Sequence, residues 1–372
     1  MAIKSAASPR LPEKDITVMS VRELTWLRFK RNRLAMGAGI LLILFYVVAA
    51  FAGFFAPYHV RTIHSKFPGV PANGVHIRDG EGRFRRPFVY GYESKADPVT
   101  YRRVASRTEE MYPLRFLAKG DPYELLGLIE TDVHLFVVDD PGKVFLLGSD
   151  DLGKDLFSRI LYGAQVSLTV GLVGISLSLS IGSFVGMMAG YFGGVFDDVS
   201  MRAVEVLMAF PRIPLWLALA GALPAGLNSV TTYFGITVVL SLVNWGSMAR
   251  QMRAKVLAVR DSDFVVAARI TNCSDLRVIL WHLLPSSLSH VIVVATLAIP
   301  GMILGETALS FLGLGIRPPM TSWGLLLSQA QETRVLLQKP WYLWPIAPVV
   351  ITALSFNLLG DGIRDAIDPF AV

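Results

Sequence analysis

The residues that come nearest to a nucleotide site lie between Gly148 and Asp155, in the string GSDDLGKD. This string fits the pattern G-x-x-x-x-G-K, in which backbone N–H groups and a lysine cradle phosphates. Position 155 is Asp, whereas that pattern needs a Ser or Thr hydroxyl there to bind Mg²⁺. The string also precedes an apolar segment on the side that the charge pattern places outside the cell, where no ATP is available. The sequence therefore predicts no nucleotide site here.

The sequence lacks the sets of residues that metal binding or nucleophilic catalysis requires. The chain contains one cysteine, Cys273, which excludes an internal disulfide and a cysteine-based zinc site. The histidines show no H-x-x-x-H or similar ligand spacing; they are His59, His64, His76, His134, His282 and His290. No nucleophile–base pair is identifiable either. We therefore expect a chain that is not an enzyme, and a membrane enzyme is the least favoured function class.

Three ionisable residues fall within or beside apolar segments, where a charge is a functional candidate by default. They are Glu205, Arg212 and Glu306, candidates for a translocation pathway or for contacts between subunits. Glu205 and Arg212 are seven residues apart, a spacing that places both on one helix face. For these two, an interfacial or inter-subunit pair is favoured over a substrate contact, and Arg212 is the deeper one. Glu306 lies ~25 Å along its predicted helix, which favours the outer interface.

The elements that must position these residues are membrane spans. The chain has 372 residues, of which 53% are hydrophobic and 17% charged, and its mean hydropathy is +0.50. Soluble domains carry about 25% charged residues, so the composition indicates an all-α polytopic membrane protein. The net charge of +6 is explained by Lys and Arg at cytoplasmic span ends, and it requires no nucleic acid as a partner.

Apolar segments predict six transmembrane helices, because about 20 apolar residues cross a bilayer. Basic residues before residue 35 and between Arg250 and Arg277 place both termini and the loop 250–287 in the cytoplasm. Pro211 and Pro214 are expected to kink or break the third span. The predicted spans are 35–56, 164–188, 203–224, 230–249, 288–312 and 341–359. The predicted division of the chain is a cytoplasmic segment 1–34, the first span 35–56, an external insert 57–160, a five-span core 161–360 and a cytoplasmic tail 361–372.

The insert 57–160 predicts a small external lobe with some β-structure. Short β-like pieces, broken by Pro, Gly and Asp, fall at Arg86–Tyr92, His134–Val138 and Lys143–Leu147. Basic and aromatic residues are mixed around the first piece. Four of them are candidates for contact with substrate or with a binding protein: Arg85, Arg86, Tyr90 and Tyr92. Packing and a solvated face are the favoured interpretation of that stretch.

A polar unit between the fourth and fifth spans carries the strongest functional signal. This two-helix segment, as we call it, is Asp263–Pro285, with the sequence DFVVAARITNCSDLRVILWHLLP. Its first helix is predicted over 263–271, because Asp263 and the two residues before it are favourable at a helix start. Asn272 then suits the left-handed backbone conformation that ends a helix. From these features alone, docking of a partner and a solvated linker are equally favoured.

The second helix of the segment is predicted after Ser274 and Asp275, which can cap its N-terminus. Its apolar residues recur at i, i+3, i+4 and i+7, so they are expected to share one face that ties the helix to the spans. They are Leu276, Ile279, Leu280 and Leu283. Pro285 is predicted to end this helix.

The two-helix segment resembles the EAA loop of membrane subunits of binding-protein-dependent ABC importers, whose core is E-A-A-x-x-x-G before an apolar helix and a Pro. Ala267 and Ala268 stand at the two alanine positions, Val266 at the Glu position and Asn272 at the Gly position. Further strings resemble the C-type permeases of the oligopeptide, dipeptide and nickel family. They are LGSDDLGKDLFSRILYGAQVSL at 147–168, residues 190–211, ETALSFLGLGIRPP at 306–319, and the tail 358–369.

The resemblance implies the type I importer permease fold, in a chain that forms half of a translocation pathway for di- or oligopeptides in the bacterial inner membrane. It implies a B-type partner permease, two cytoplasmic ATPases that bind ATP and Mg, and an external solute-binding protein. This chain itself would bind no cofactor or metal. Related systems carry oligosaccharides, opines, glutathione or nickel complexes, so these solutes remain alternatives. An ATP-independent secondary transporter is a remoter one.

In that family the loop inserts into a groove on the ATPase and carries its motion into the membrane. Phe264 and the alanines Ala267 and Ala268 would seat the first helix, since small side chains permit close approach. Asn272 would set the hinge between the two helices. The full set that the resemblance assigns to ATPase coupling is Asp263, Phe264, Ala267, Ala268, Arg269, Asn272, Ser274 and Asp275.

Overall fold

The computed structural model describes residues 20–96, 103–224 and 226–368, and this part of the chain is mainly helical. Five of its helices are long and apolar enough to cross a membrane, and a sixth crossing results if one bent pair of shorter helices counts as a span. The five are Arg33–Ala50, Leu156–Phe192, Ser229–Val259, the composite helix Asp275–Phe311 and Pro340–Ile367. The chain is thus a mostly helical membrane protein.

The N-terminal helices lead into the first predicted span. Helix α1 (Val21–Arg31) begins with a capping box, in which Ser and Glu side chains bond to each other's backbone N–H groups. Asn32 ends α1 and caps α2 (Arg33–Ala50). The short helix α3 (Ala52–Phe55) follows α2 directly. Together α2 and α3 correspond closely to the predicted span 35–56.

The insert contains a four-stranded antiparallel sheet whose strands neighbour one another in chain order. The strands are β1 (His76–Arg78), β2 (Phe84–Ala96), β3 (Arg103–Leu125) and β4 (Ile129–Val138). The predicted pieces at 86–92 and 134–138 lie within β2 and β4, so a sheet in this region is confirmed.

Two details of the predicted sheet were wrong. Lys143–Leu147 is not a strand; its backbone bonds to Asn73, whose N–H donates to the carbonyl of Phe145 at 2.9 Å. The longest strand, β3, was not predicted. Pro113, Gly120 and Pro122 interrupt its alternating pattern, so pairing with the neighbouring strands, rather than local preference, holds it extended.

The β3–β4 hairpin is fastened to the end of the first span. Nδ1 of His134 lies 2.5 Å from the carbonyl oxygen of Ala56. The Asp121 carboxylate accepts hydrogen bonds from the backbone N–H of His59 at 3.0 Å and from the hydroxyl of Thr62 at 2.5 Å. These polar bonds hold the sheet at a defined position beside α3.

The helices α4 (Leu156–Phe192), α7 (Ser229–Val259) and α10 (Leu284–Phe311) form the centre of the membrane part. Gly182 and Gly186 of α4 lie directly on the α7 backbone: an added Cβ at Gly186 would collide with the carbonyl oxygen of Ala249. Small residues in α4 therefore allow the two helices to approach closely.

The third predicted span is two helices rather than one. Helix α5 (Gly194–Ala209) and helix α6 (Arg212–Gly221) meet at an angle of 93°, and Pro211 is the N-cap residue of α6. The expected break at the prolines is confirmed. The expectation that Glu205 and Arg212 share a helix face is wrong, because the bend places them on separate helices.

The C-terminal part of the described chain completes the bundle with helices α11 (Trp323–Ser328), α12 (Thr333–Gln338) and α13 (Ile346–Ile367). Several helices extend past the predicted boundaries: α4 starts before residue 160, α7 ends after 249, and α13 continues past 360. A span predicted from hydropathy ends where charged residues begin. The helix itself continues until a capping group or a turn ends its backbone hydrogen bonding. The predicted loop 250–287 is consequently helical over most of its length.

Candidate functional site

The first helix of the two-helix segment, α8 (Asp263–Ile270), ends in a Schellman motif. The N–H of Cys273 donates to the carbonyl of Ala268 at 3.1 Å, and the N–H of Asn272 donates to the carbonyl of Arg269 at 3.0 Å. Asn272 has a φ of +60°, which confirms the predicted left-handed conformation at the position where the related loops carry Gly. Both backbone N–H groups that follow the helix end are thus hydrogen-bonded to α8.

One face of α8 packs against this chain, and the other is open. Val265 and Ala268 are buried, and Ala268 is only 6% exposed. The expectation that both alanines face a partner is therefore wrong for Ala268, because it fills the chain's own core. The opposite face is small and apolar with one acidic residue at its start, and it consists of Asp263, Val266, Ala267 and Ile270. We call these four residues the outer face of α8; Ile270 is 80% exposed.

Tyr191, at the end of α4, holds the two helices of the segment together. Its hydroxyl donates to Oδ1 of Asp275 at 2.7 Å, and Nε of Arg269 donates to the same hydroxyl oxygen at 3.3 Å. The Arg269 guanidinium also lies 4.6 Å from the ring centroid of Tyr191. Arg269 and Asp275 thus fasten the segment to α4. The sequence did not single out Tyr191, although it falls within residues 190–211, one of the strings that resemble the C-type permeases.

The second helix of the segment does not stop at Pro285, which corrects the prediction. Helix α9 (Asp275–Val278) passes into a π-helical turn, Ile279–Leu283, and then into α10. The N–H of Leu284 bonds to the carbonyl of Ile279, five residues back. This wider turn accommodates the proline, which cannot donate and would crowd the carbonyl four residues before it. The segment therefore continues rigidly into the membrane helix.

Two of the four residues that were predicted to form the apolar face of the second helix are buried. Ile279 and Leu283 are fully buried, whereas Leu276 and Leu280 are exposed. Three of the four residues lie within the π turn, whose angular spacing differs from that of an α-helix, so the four do not share one face. The buried side chains join a cluster that also contains residues of α4, α7 and α8. Its members outside α9 and the π turn are Met187, Tyr191, Met248, Met252, Val256, Val265 and Ala268.

Substitutions at the end of α8 test whether the left-handed conformation of Asn272 costs the chain folding stability. We expect Asn272→Gly to keep or raise the unfolding free energy, and Asn272→Val to lower it by about 1–2 kcal/mol, because a β-branched residue is strained at positive φ. Thr271, with a φ of −77°, is the matched control, where Thr271→Gly should destabilise. Thermal unfolding of the purified chain measures the differences. An equal loss of unfolding free energy in Asn272→Gly and Thr271→Gly would contradict the prediction.

The string GSDDLGKD serves to join the insert to α4. Asp155 caps α4, accepting from the N–H and the hydroxyl of Ser158 at 2.7 and 2.6 Å. Asp150 accepts from the guanidinium of Arg159 at 2.6 Å, and both side chains are buried. A phosphate at this helix N-terminus would meet the carboxylate of Asp155, which supports the prediction of no nucleotide site.

Glu306 is fully buried within this chain, at 0% exposure. Its carboxylate accepts from the hydroxyls of Ser167 at 2.9 Å and Ser310 at 2.6 Å. The Ser167 hydroxyl oxygen in turn accepts from the backbone N–H of Trp323 at 3.2 Å. Glu306 is therefore not open to a pathway or a second subunit in this structure, whereas its expected depth near the outer membrane interface stays a prediction. Glu306 instead ties α4, α10 and α11 together.

Glu205 and Arg212 line different cavities. Glu205 faces a polar cavity of about 430 Å³ with Arg202, Arg250 and Arg253. Arg212 lines two others, described below. Both residues are exposed on the isolated chain. The structure therefore leaves each available for a pathway or a subunit contact, but not as one pair.

The four candidates in the insert divide into packed and exposed residues. Tyr90 is buried beside Phe88, so it is unavailable for a partner. Nε of Arg85 donates to Oδ2 of Asp79 at 2.8 Å, and this hydrogen bond lowers the pKa of the Asp79 carboxyl. Arg86 is exposed and Tyr92 is half-buried. Tyr90 thus contributes to packing, and Arg85 forms an ion pair with Asp79.

Comparison with known proteins gives two family matches. Residues 182–371 match the model described as binding-protein-dependent transport system inner membrane component. Residues 20–67 match the model for the N-terminal TM domain of oligopeptide transport permease C. The first match covers more than half of the chain, including the whole two-helix segment.

Three relatives illustrate the similarity. A protein of Brucella suis biovar 1, provisionally assigned as a peptide transport system permease, is 41% identical over 231 residues, 62% of this chain and 75% of that protein. The dipeptide transport system permease protein of Alkalihalophilus pseudofirmus is 37% identical over 230 residues, 62% and 73% of the two chains. The glutathione transport system permease protein of Escherichia coli O1:K1 is 31% identical over 344 residues, 92% and 89% of the two chains.

Proposed function

This chain belongs to the family of binding-protein-dependent transport system inner membrane components, and from that membership we propose that it forms half of a translocation pathway for di- or oligopeptides. The names of the relatives support a peptide substrate: one is a dipeptide permease and another a permease for glutathione, itself a small peptide. The same machinery carrying an oligosaccharide, an opine, glutathione or a nickel complex is the alternative.

The observation that carries the proposal is the outer face of α8. It is small, largely apolar and open, while the reverse side of the same helix is anchored through Val265 and Ala268 in the cluster beneath it. A rigid element with one packed side and one open side is suited to receive force from a partner protein and to transmit it. The π turn carries the connection without a break into α10.

We assign the partners and the orientation on the same basis. A B-type permease, two cytoplasmic ATPases and an external solute-binding protein complete the importer, and the ATPases bind ATP and Mg. This chain is a non-catalytic subunit that holds no cofactor or metal and contacts lipid but no nucleic acid. The bent pair α5 and α6 counts as the third of six spans. Basic residues near α1 and after residue 250 support cytoplasmic termini and an external sheet lobe in the bacterial inner membrane.

Uptake into proteoliposomes tests the proposed function. The purified four-part importer, reconstituted with its binding protein outside and ATP inside, is expected to accumulate labelled trialanine. Replacing ATP by ADP should abolish accumulation, and a labelled oligosaccharide should not enter. Uptake of trialanine by this chain alone without ATP would instead identify a secondary transporter. ATP-driven uptake of a non-peptide solute alone would select the alternative substrate class.

A further inference from the structure

The bend between α5 and α6 lies deep in the membrane part. Trp216 of α6 and Leu240 of α7 both lie beside Gly305 of α10, where an added Cβ would come within about 3 Å of either side chain. Leu240 is halfway along the predicted fourth span 230–249, so Trp216 lies within the membrane part. Arg212 is one helical turn before Trp216 and begins α6, and it is exposed on the isolated chain.

Arg212 is a charge at membrane depth without a counter-charge of its own. It lines a cavity of about 150 Å³ between α4, α6, α7 and α10, and a second cavity of about 470 Å³ beside α6 and α10. Neither cavity has an acidic residue in its lining. Across residues 20–96, 103–224 and 226–368, no carboxylate forms an ion pair with Arg212. Because an unpaired charge within the membrane part is costly, Arg212 is suited to bind an anion from outside this chain.

Trp216 and Asn244 are among the polar side chains that line the smaller cavity with Arg212. Trp216 is 6% exposed, and its Nε1 is buried without a hydrogen-bond acceptor in the described residues. Asn244 uses its amide nitrogen to donate to the carbonyl of Leu240 at 3.0 Å, so its side-chain oxygen remains an acceptor. A guanidinium, an indole N–H and an amide oxygen together match a carboxylate next to a peptide N–H.

We propose that Arg212 binds the C-terminal carboxylate of the peptide within the membrane part, with Trp216 and Asn244 contacting the adjoining peptide unit. The proposal rests on the proposed function and names the group by which the pathway holds its substrate. Glu205 does not neutralise Arg212, because it lines a different cavity with three arginines. The open N-terminus of α6, where Pro211 gives no side-chain cap, adds backbone N–H groups on the same side.

The experiment compares trialanine with trialanine amide, which lacks the charged carboxylate. Binding of each peptide to the complete importer in nanodiscs, without solute-binding protein, is measured by calorimetry, and uptake is measured in proteoliposomes. A charge-assisted hydrogen bond contributes about 10- to 150-fold in affinity. We expect wild type to prefer the free acid by a ratio in that range. Arg212→Gln should bring the acid-to-amide ratio near one, and Arg212→Lys should retain part of the preference. Arg202→Gln, an exposed arginine of α5 in the other cavity, should leave the ratio unchanged.

Two outcomes overturn the inference. An unchanged acid-to-amide ratio in Arg212→Gln would show that Arg212 does not hold the carboxylate. Failure of Arg212→Gln to co-purify with the second permease, while Arg212→Lys does, would assign the counter-charge to that subunit. Failure of the proposed function is distinguishable, because wild type would then take up neither peptide with ATP. If wild type imports both peptides and the Arg212 variants show the same acid-to-amide ratio, the role of Arg212 is refuted and the proposed function stands.

Discussion

Replacing Ala267 by arginine is expected to abolish ATP-driven uptake while leaving the chain folded and inserted. Ala267 lies in the middle of the outer face of α8 and is exposed in the isolated chain, so the substitution should change its own stability by less than about 0.5 kcal/mol. In the importer, a buried guanidinium without a partner costs several kcal/mol. That corresponds to more than about 100-fold in ATPase affinity. Co-purification of the ATPases and peptide-stimulated ATP hydrolysis measure the loss.

Two matched variants separate docking from folding. Ala254→Arg places the same side chain at an exposed alanine of α7, and it should retain the ATPases and uptake. Ala268→Asp places a carboxylate in the chain's own core, and it should reduce the amount of folded chain before any partner binds. Normal ATPase co-purification and uptake by Ala267→Arg would refute the docking role of the outer face.

Replacing Arg159 by methionine is expected to destabilise the chain by about 3–5 kcal/mol, because it leaves the Asp150 carboxylate buried and unpaired. The two side chains are bonded at 2.6 Å, and the same guanidinium donates to Oε1 of Gln329 at 3.2 Å. The pair joins the string before α4 to the stretch after α11. Denaturant-induced unfolding of the purified chain in detergent measures the difference.

The neighbouring residue Asp151 offers a matched control. Its carboxylate pairs with Lys339, but it is 62% exposed, so Asp151→Ala should cost at most about 1 kcal/mol. The double variant Asp150→Asn with Arg159→Met should be more stable than Arg159→Met alone, because the unpaired charge is removed. Equal losses in the two single variants, Arg159→Met and Asp151→Ala, would contradict a distinct role for the buried pair.

Features that depend on neighbouring residues were predictable from the sequence. The break at Pro211 follows from a missing N–H and ring crowding, which act whatever surrounds the helix. The left-handed conformation of Asn272 likewise follows from a side chain that tolerates positive φ after a helical run. Span composition is set by the bilayer, which acts as a uniform apolar solvent over some 20 residues. The two-helix segment was found for the same reason, since its pattern is local.

Features that depend on distant residues were decided only by the tertiary structure. Adjacent alanines are equivalent in sequence, but the cluster contributed by α4 and α7 buries Ala268 and leaves Ala267 open. Glu306 is internal because Ser167, far away along the chain, donates to it. Pro285 fails to end its helix because a π turn packed into that cluster accommodates it. Thus the sequence by itself determined the membrane class and the position of the two-helix segment. Which face of the segment is open, and which charges lack a partner, depended on contacts between residues that no local pattern relates.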